Sequence, residues 1–111
     1  MAKRLDMFEE DGSYLGGGPV LTVTADYTTR VGDRTILVNS TSNVVTVTLS
    51  TDCCWPGHKL TIKDKAGTSG TYPITIATEA AEDIDGDDTI SLNSAFAFAN
   101  IISDGANWFM V

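Results

Sequence analysis

Apolar and polar residues alternate with period two along most of this chain after residue 19. In Val44-Val45-Thr46-Val47-Thr48-Leu49, the residues Val45, Val47 and Leu49 fall on one side of an extended strand and Thr46 and Thr48 on the other. Lys59-Leu60-Thr61-Ile62-Lys63-Asp64 repeats the pattern, with Leu60 and Ile62 facing a core and the lysines facing water. Tyr72-Pro73-Ile74-Thr75-Ile76 repeats it again, and Pro73 marks a strand start or an edge. Shorter β-rich runs lie at Val20–Thr24, Arg34–Asn39 and Thr89–Leu92, and Tyr27–Arg30 either continues the first or forms a short neighbour. Near the end, Ala97–Ile102 and Trp108–Val111 flank Ser103-Asp104-Gly105-Ala106-Asn107, a hairpin signal because glycine takes positive φ at no steric cost.

Strands recur about every ten residues with turn chemistry between them, a spacing that suits an all-β sandwich, barrel or solenoid-like stack. The reading adopted is a compact antiparallel sandwich or barrel-like domain with a short N-terminal arm. Residues 1–18 set themselves apart: a charged stretch with Leu5 and Phe8 three apart, then Gly16-Gly17-Gly18-Pro19, which breaks regular structure. They are read as an arm with a glycine hinge, and residues 19–111 as the β-domain.

Composition narrows the partners. The chain has 111 residues and a formal net charge of −8. Its few Lys and Arg are scattered, whereas nucleic-acid binders gather basic residues that release counterions from phosphates, so no nucleic-acid partner is expected. Anionic membranes are disfavoured on the same ground, and no run approaches the ~20 apolar residues of a helical span. No apolar h-region follows Lys3-Arg4, so the expected place of synthesis is a cytoplasm, without export by a signal peptide. A β-domain this small has a modest core, for which self-association is a common remedy.

Candidate chemistry is sparse. Cys53 and Cys54 are adjacent, where a mutual disulfide strains the intervening peptide, and they read as small apolar residues in the turn before Trp55-Pro56-Gly57. His58, the lone histidine, reads as an exposed loop residue with no nucleophile and acid arranged around it. The cluster Glu79, Glu82, Asp83, Asp85, Asp87 and Asp88 superficially resembles a calcium loop, but counting from Asp83 puts glycine at position 4 and Ser94 at position 12, which breaks the EF-hand rule. It reads as a solvated turn whose aspartates cap backbone N–H groups. No catalytic residue, cofactor or metal is expected. Ser94-Ala95-Phe96-Ala97-Phe98-Ala99 alternates small with large, as in a strand covered on both sides, and places Ala95, Ala97 and Ala99, with Trp108, at a contact between subunits.

The order of segments carries a resemblance. Arg34–Val38, Val44–Leu49, Pro56-Gly57-His58-Lys59-Leu60-Thr61-Ile62-Lys63-Asp64-Lys65-Ala66-Gly67, Pro73–Ile76, Ile84-Asp85-Gly86 and Ile102-Ser103-Asp104-Gly105-Ala106-Asn107-Trp108 follow one another. Together they resemble a β-domain of tailed-phage virion proteins found at the ends of tail fibres, head fibres and other surface proteins. The likeness runs from about Thr24 to Val111 and departs from the usual pattern at Cys53-Cys54-Trp55. It implies a non-enzymatic virion module, commonly trimeric, on the particle surface. A short arm and one compact domain suit a capsid decoration protein. On this expectation Arg4, Leu5, Met7, Phe8 and Tyr14 dock on the major capsid protein, and the chain assembles as a homotrimer on the virion. The alternative is a tail- or head-fibre tip that binds a host receptor or glycan.

Overall fold

The computed structural model describes residues 19–111, which carry nine strands. They are β1 (Val20–Val23), β2 (Tyr27–Thr28), β3 (Thr35–Val38), β4 (Val45–Leu49), β5 (Lys59–Asp64), β6 (Ile74–Thr78), β7 (Thr89–Leu92), β8 (Phe98–Ser103) and β9 (Trp108–Met110), with a single 3-10 turn at Thr51–Cys53. The alternating segments all became strands because one side of each could be buried and the other could not.

Two mixed sheets result, ordered β1-β3-β5-β8-β9 and β2-β4-β6-β7, and they do not close into a barrel. Up to β6 the chain crosses from one sheet to the other at every strand. Each strand from β3 to β6 therefore lies beside the strand two before it, and the pairs β1/β3, β2/β4, β3/β5 and β4/β6 are parallel. The antiparallel arrangement expected from the sequence holds only for the last strands: β7 on β6, β8 on β5, and β9 on β8. Parallel neighbours need a crossover rather than a hairpin, and here the crossover is a strand of the opposite sheet. Side-chain alternation fixes which face is buried but not strand direction, so periodicity could not distinguish the two.

The register lines apolar residues up across the strands. Ile36 lies beside Ile62, and Ile62 beside Ala99. Val45, Ile74 and Leu92 form a row in the second sheet, and Val47, Ile76 and Ile90 another. The buried members of both sheets join one cluster that includes Leu49, Leu60, Ile101 and Trp108. Each fully buried aliphatic side chain contributes roughly 1.5–3 kcal/mol, so these rows supply the main force holding the turns together. On the opposite side of the second sheet run polar rows such as Thr46, Thr75 and Ser91.

The final hairpin forms where expected. Ile102 pairs with Phe109 and Ser103 with Trp108. Asp104 Oδ1 accepts the N–H groups of Ala106 and Asn107 at 2.9 Å, which lowers its carboxyl below the usual range, and Gly105 takes φ +100°.

One buried charge clamps two loops. Asp64 ends β5 on the inward side, where an aliphatic residue would continue the row. Its carboxylate accepts N–H groups from Gly67 (3.0 Å), Ser69 (3.0 Å) and Phe96 (2.9 Å), and the Ser69 hydroxyl (2.8 Å). Burial pushes this carboxyl up, but the Ser69, Phe96 and Thr68 backbone and hydroxyl donors together outweigh it and hold it below its ordinary 3.8. The folded group thus has the lower pKa, so its stabilisation is full above the unfolded value and is lost as pH falls through the folded one. Replacing Asp64 with Asn places an NH2 among donors. We expect Asp64→Asn to cost about 2–4 kcal/mol in urea unfolding at pH 7. Wild type should lose that advantage as the pH falls below about 3.8, so that the two unfolding midpoints converge. A gap that stays constant down to pH 2 would contradict this role.

Candidate functional site

The loop at residues 50–57 leads into β5. Ser50 caps the 3-10 turn by accepting Asp52 N–H at 3.1 Å, and Glu79 accepts Thr51 N–H at 2.8 Å. The turn drives Cys53 inward, where its Sγ lies 3.3 Å from the Thr29 hydroxyl, and burial pushes its thiol pKa up. Cys54 points elsewhere, with Sγ 3.2 Å from Ser103 Oγ. The two thiols are free and do not share a partner.

His58 is not the exposed loop residue expected. It is 1% exposed. It shares parity with Leu60, Ile62 and Asp64, so the alternation of β5 carries it inward; that parity was the overlooked signal. Nδ1 lies 2.8 Å from Cys53 O, and Nε2 lies 2.9 Å from Asp33 O and 3.1 Å from Arg34 Nη1. Arg34 Nη1 also donates to Asp33 O at 2.9 Å. Each ring nitrogen thus lies within hydrogen-bond distance of a partner: Nδ1 of the Cys53 carbonyl, Nε2 of the Asp33 carbonyl and the Arg34 guanidinium. The imidazole contacts the Cys53 backbone, not its sulfur, so the two do not form a nucleophile–base pair.

Trp55 covers this cluster. Its ring stacks on His58 at 4.4 Å between centroids and 15° between planes, and the Arg34 guanidinium carbon lies 5.9 Å from its centre. The indole stays 38% exposed. Nearby, the Tyr27 hydroxyl donates to Asp33 at 2.6 Å; burial and that hydrogen bond push the phenol up to about 12.

The carboxylates of residues 79–88 are largely on the surface around buried Ile84. Several cap backbone groups: Glu79 on Thr51, Glu82 on Ala80 at 3.3 Å, and Asp85 on Met110 at 3.3 Å. Among the described residues, no three His, Cys, Asp or Glu side chains gather as a metal cage.

The expected subunit contact falls differently. Arg4, Leu5, Met7, Phe8 and Tyr14 lie outside the described residues. Ala95 is exposed and Ala97 half-buried, but Ala99 and Trp108 sit in the core of the single chain and have no surface to give a neighbour. Ala99 pairs with Ile62 and shares its inward direction, and Trp108 fills the space behind the hairpin. Among the described residues the Trp108 indole N–H has no hydrogen-bond partner there. It is the phenylalanines that point out: Phe96 is 56% exposed and Phe98 58%.

Phe98 belongs to a continuous outward face of the five-stranded sheet. Across the strands run Thr22, Leu37, Lys63 and Phe98, then Val20, Thr35, Thr61 and Asn100, then Lys59, Ile102 and Phe109. None of these positions is Asp or Glu. Asp33, near the rim, turns its carboxylate to Tyr27 and to Arg30 N–H instead. A depression of about 310 Å³ opens between Lys59, Thr61, Asn100 and Val111. Lys63 Nζ donates to Phe96 O and lies 5.7 and 5.6 Å from the Phe96 and Phe98 ring centres. Phe96 adopts φ +61°, a left-handed conformation costly for an aromatic residue. Its N–H is held by Asp64 and its ring lies over Gly67, where a Cβ would come within 2.5 Å of Phe96 Cζ. The Asp64 clamp thus keeps an exposed aromatic in place beside Lys63.

No protein-family model matches this chain, and no curated protein matches it.

The different settings of the two cysteines predict unequal reactivity. In native protein a thiol reagent should modify Cys54 well before Cys53, with Cys53 slower by about a hundredfold because it reacts only when the structure opens. Rates measured on Cys53→Ala and Cys54→Ala separate the two, and a faster Cys53 would contradict its placement.

Proposed function

We propose that this chain is a non-enzymatic structural protein of a phage particle: a capsid decoration protein that docks on the outer shell as a trimer. In this reading the two sheets are the layers of a sandwich above the shell. Residues 1–18 supply the arm that reaches the major capsid protein, and three arms per trimer add avidity to weak single contacts. One observation carries the reading beyond the phage-like order of segments. The residues most suited to chemistry, His58, Cys53 and Asp64, are tied into the fold, while a whole sheet face stands outward with apolar residues, two lysines and no Asp or Glu among its paired positions. That division suits a module whose work is contact. The formal charge of −8 would keep closely spaced copies soluble.

A second reading, a fibre tip that binds a host receptor or glycan, is favoured by one feature. Trp55 presents a partly open indole braced by His58 and Arg34, and such a ring can stack on the apolar face of a sugar.

Purified chain mixed with shells of its phage that lack it should pellet with them and saturate. Deleting residues 1–18 should abolish pelleting while the far-ultraviolet circular dichroism stays β-type. A chain left in the supernatant, or a truncated form that binds as well as the full one, would sink the decoration reading. Glycan or host-cell binding that Trp55→Ala removes would favour the tip instead.

A further inference from the structure

We infer that the outward face of β1, β3, β5, β8 and β9 is the contact to a second copy of this chain, engaging that copy's carboxylate-rich turn at residues 85–88. This rests on the self-association in the proposed function and names the surfaces that carry it. The argument is one of charge. Copies with a formal net charge of −8 repel one another in most orientations. Lys59 and Lys63 stand on a face whose strand positions include no Asp or Glu, so this face can meet an acidic surface with attraction. Two such faces set against each other would oppose lysine to lysine. The favourable approach is the lysine face of one copy against carboxylates of the next.

The turn at residues 85–88 fits that role. Asp87 and Asp88 are exposed, and exposed Ala80 and Ala81 precede them in the same loop. The apolar part of the contact comes from Phe98, Leu37, Ile102 and Phe109 on the sheet, with Phe96 fixed beside Lys63 by the Asp64 clamp. Because two different surfaces meet, the contact is heterologous, and repeated head to tail it closes into a ring when the rotation permits.

The mass of the full-length chain, measured by light scattering and sedimentation at low ionic strength, tests this. Wild type should weigh a multiple of 11.8 kDa and shift toward monomer as salt rises. Lys59→Glu with Lys63→Glu should weaken assembly by about a hundredfold or more while the far-ultraviolet circular dichroism stays β-type. Adding Asp87→Lys and Asp88→Lys to that variant reverses both surfaces and should restore the oligomer. A wild-type monomer at every concentration would overturn both this contact and the trimer. An oligomer indifferent to the lysine changes would overturn the contact alone and leave the trimer standing. A folded quadruple variant that stays monomeric would overturn the turn at 85–88 as the partner surface.

Discussion

Each early turn of this chain gives one strand to each sheet, and neither strand can hide its apolar side unless another turn lies against it. Ile36 needs Ile62, Val45 needs Ile74, and Val47 needs Ile76. Parallel stacking of unequal turns satisfies that need by keeping inward residues in register while the loops vary in length. The stack is finished at one end by antiparallel strands, with β7 closing the second sheet and the β8–β9 hairpin extending the first. At the other end β1 is the edge strand among the described residues, and Leu21, in register with Ile36, remains partly exposed because no further described strand lies beyond it.

The same alternation separates the chemistry of the chain into inside and outside. Positions 58, 60, 62 and 64 point inward, so a histidine and an aspartate enter the interior and must find partners there. His58 finds two backbone carbonyls and Arg34, and Asp64 finds three N–H groups and a hydroxyl. Leaving either without partners would cost several kcal/mol, which is why both sit in closed hydrogen-bond sets. The outward parity of the same strand brings Lys59, Thr61 and Lys63 to the surface beside Phe98, Asn100 and Ile102. Structure and proposed function therefore diverge from one strand.

Much of this was legible in the sequence, for reasons that also show where reading fails. Val45–Leu49 and Lys59–Asp64 declared themselves as strands because a two-residue period has few other uses, and Asp104-Gly105 marked the last hairpin through its turn chemistry. Strand direction was not legible, since parallel and antiparallel neighbours share the same alternation. Counting parity back from Leu60 would have placed His58 inside. In Ser94–Ala99, the pattern of small and large residues was visible, but which side faced the core depended on the Ala99–Ile62 pairing across distant sequence. Nothing local marked Asp64 as a clamp, because its donors come from residues 67–69 and from Phe96, on two separate loops.

Amide hydrogen exchange, resolved residue by residue, tests the stacking account most directly. If stability comes from turns sealed between neighbours, the slowest amides will lie in β3, β5, β8, β4 and β6, which have a strand on both sides, and β1 and β2 will exchange through local opening well before global unfolding. Protection spread evenly over all nine strands, or greatest in β1, would show that the turns do not depend on one another in this way.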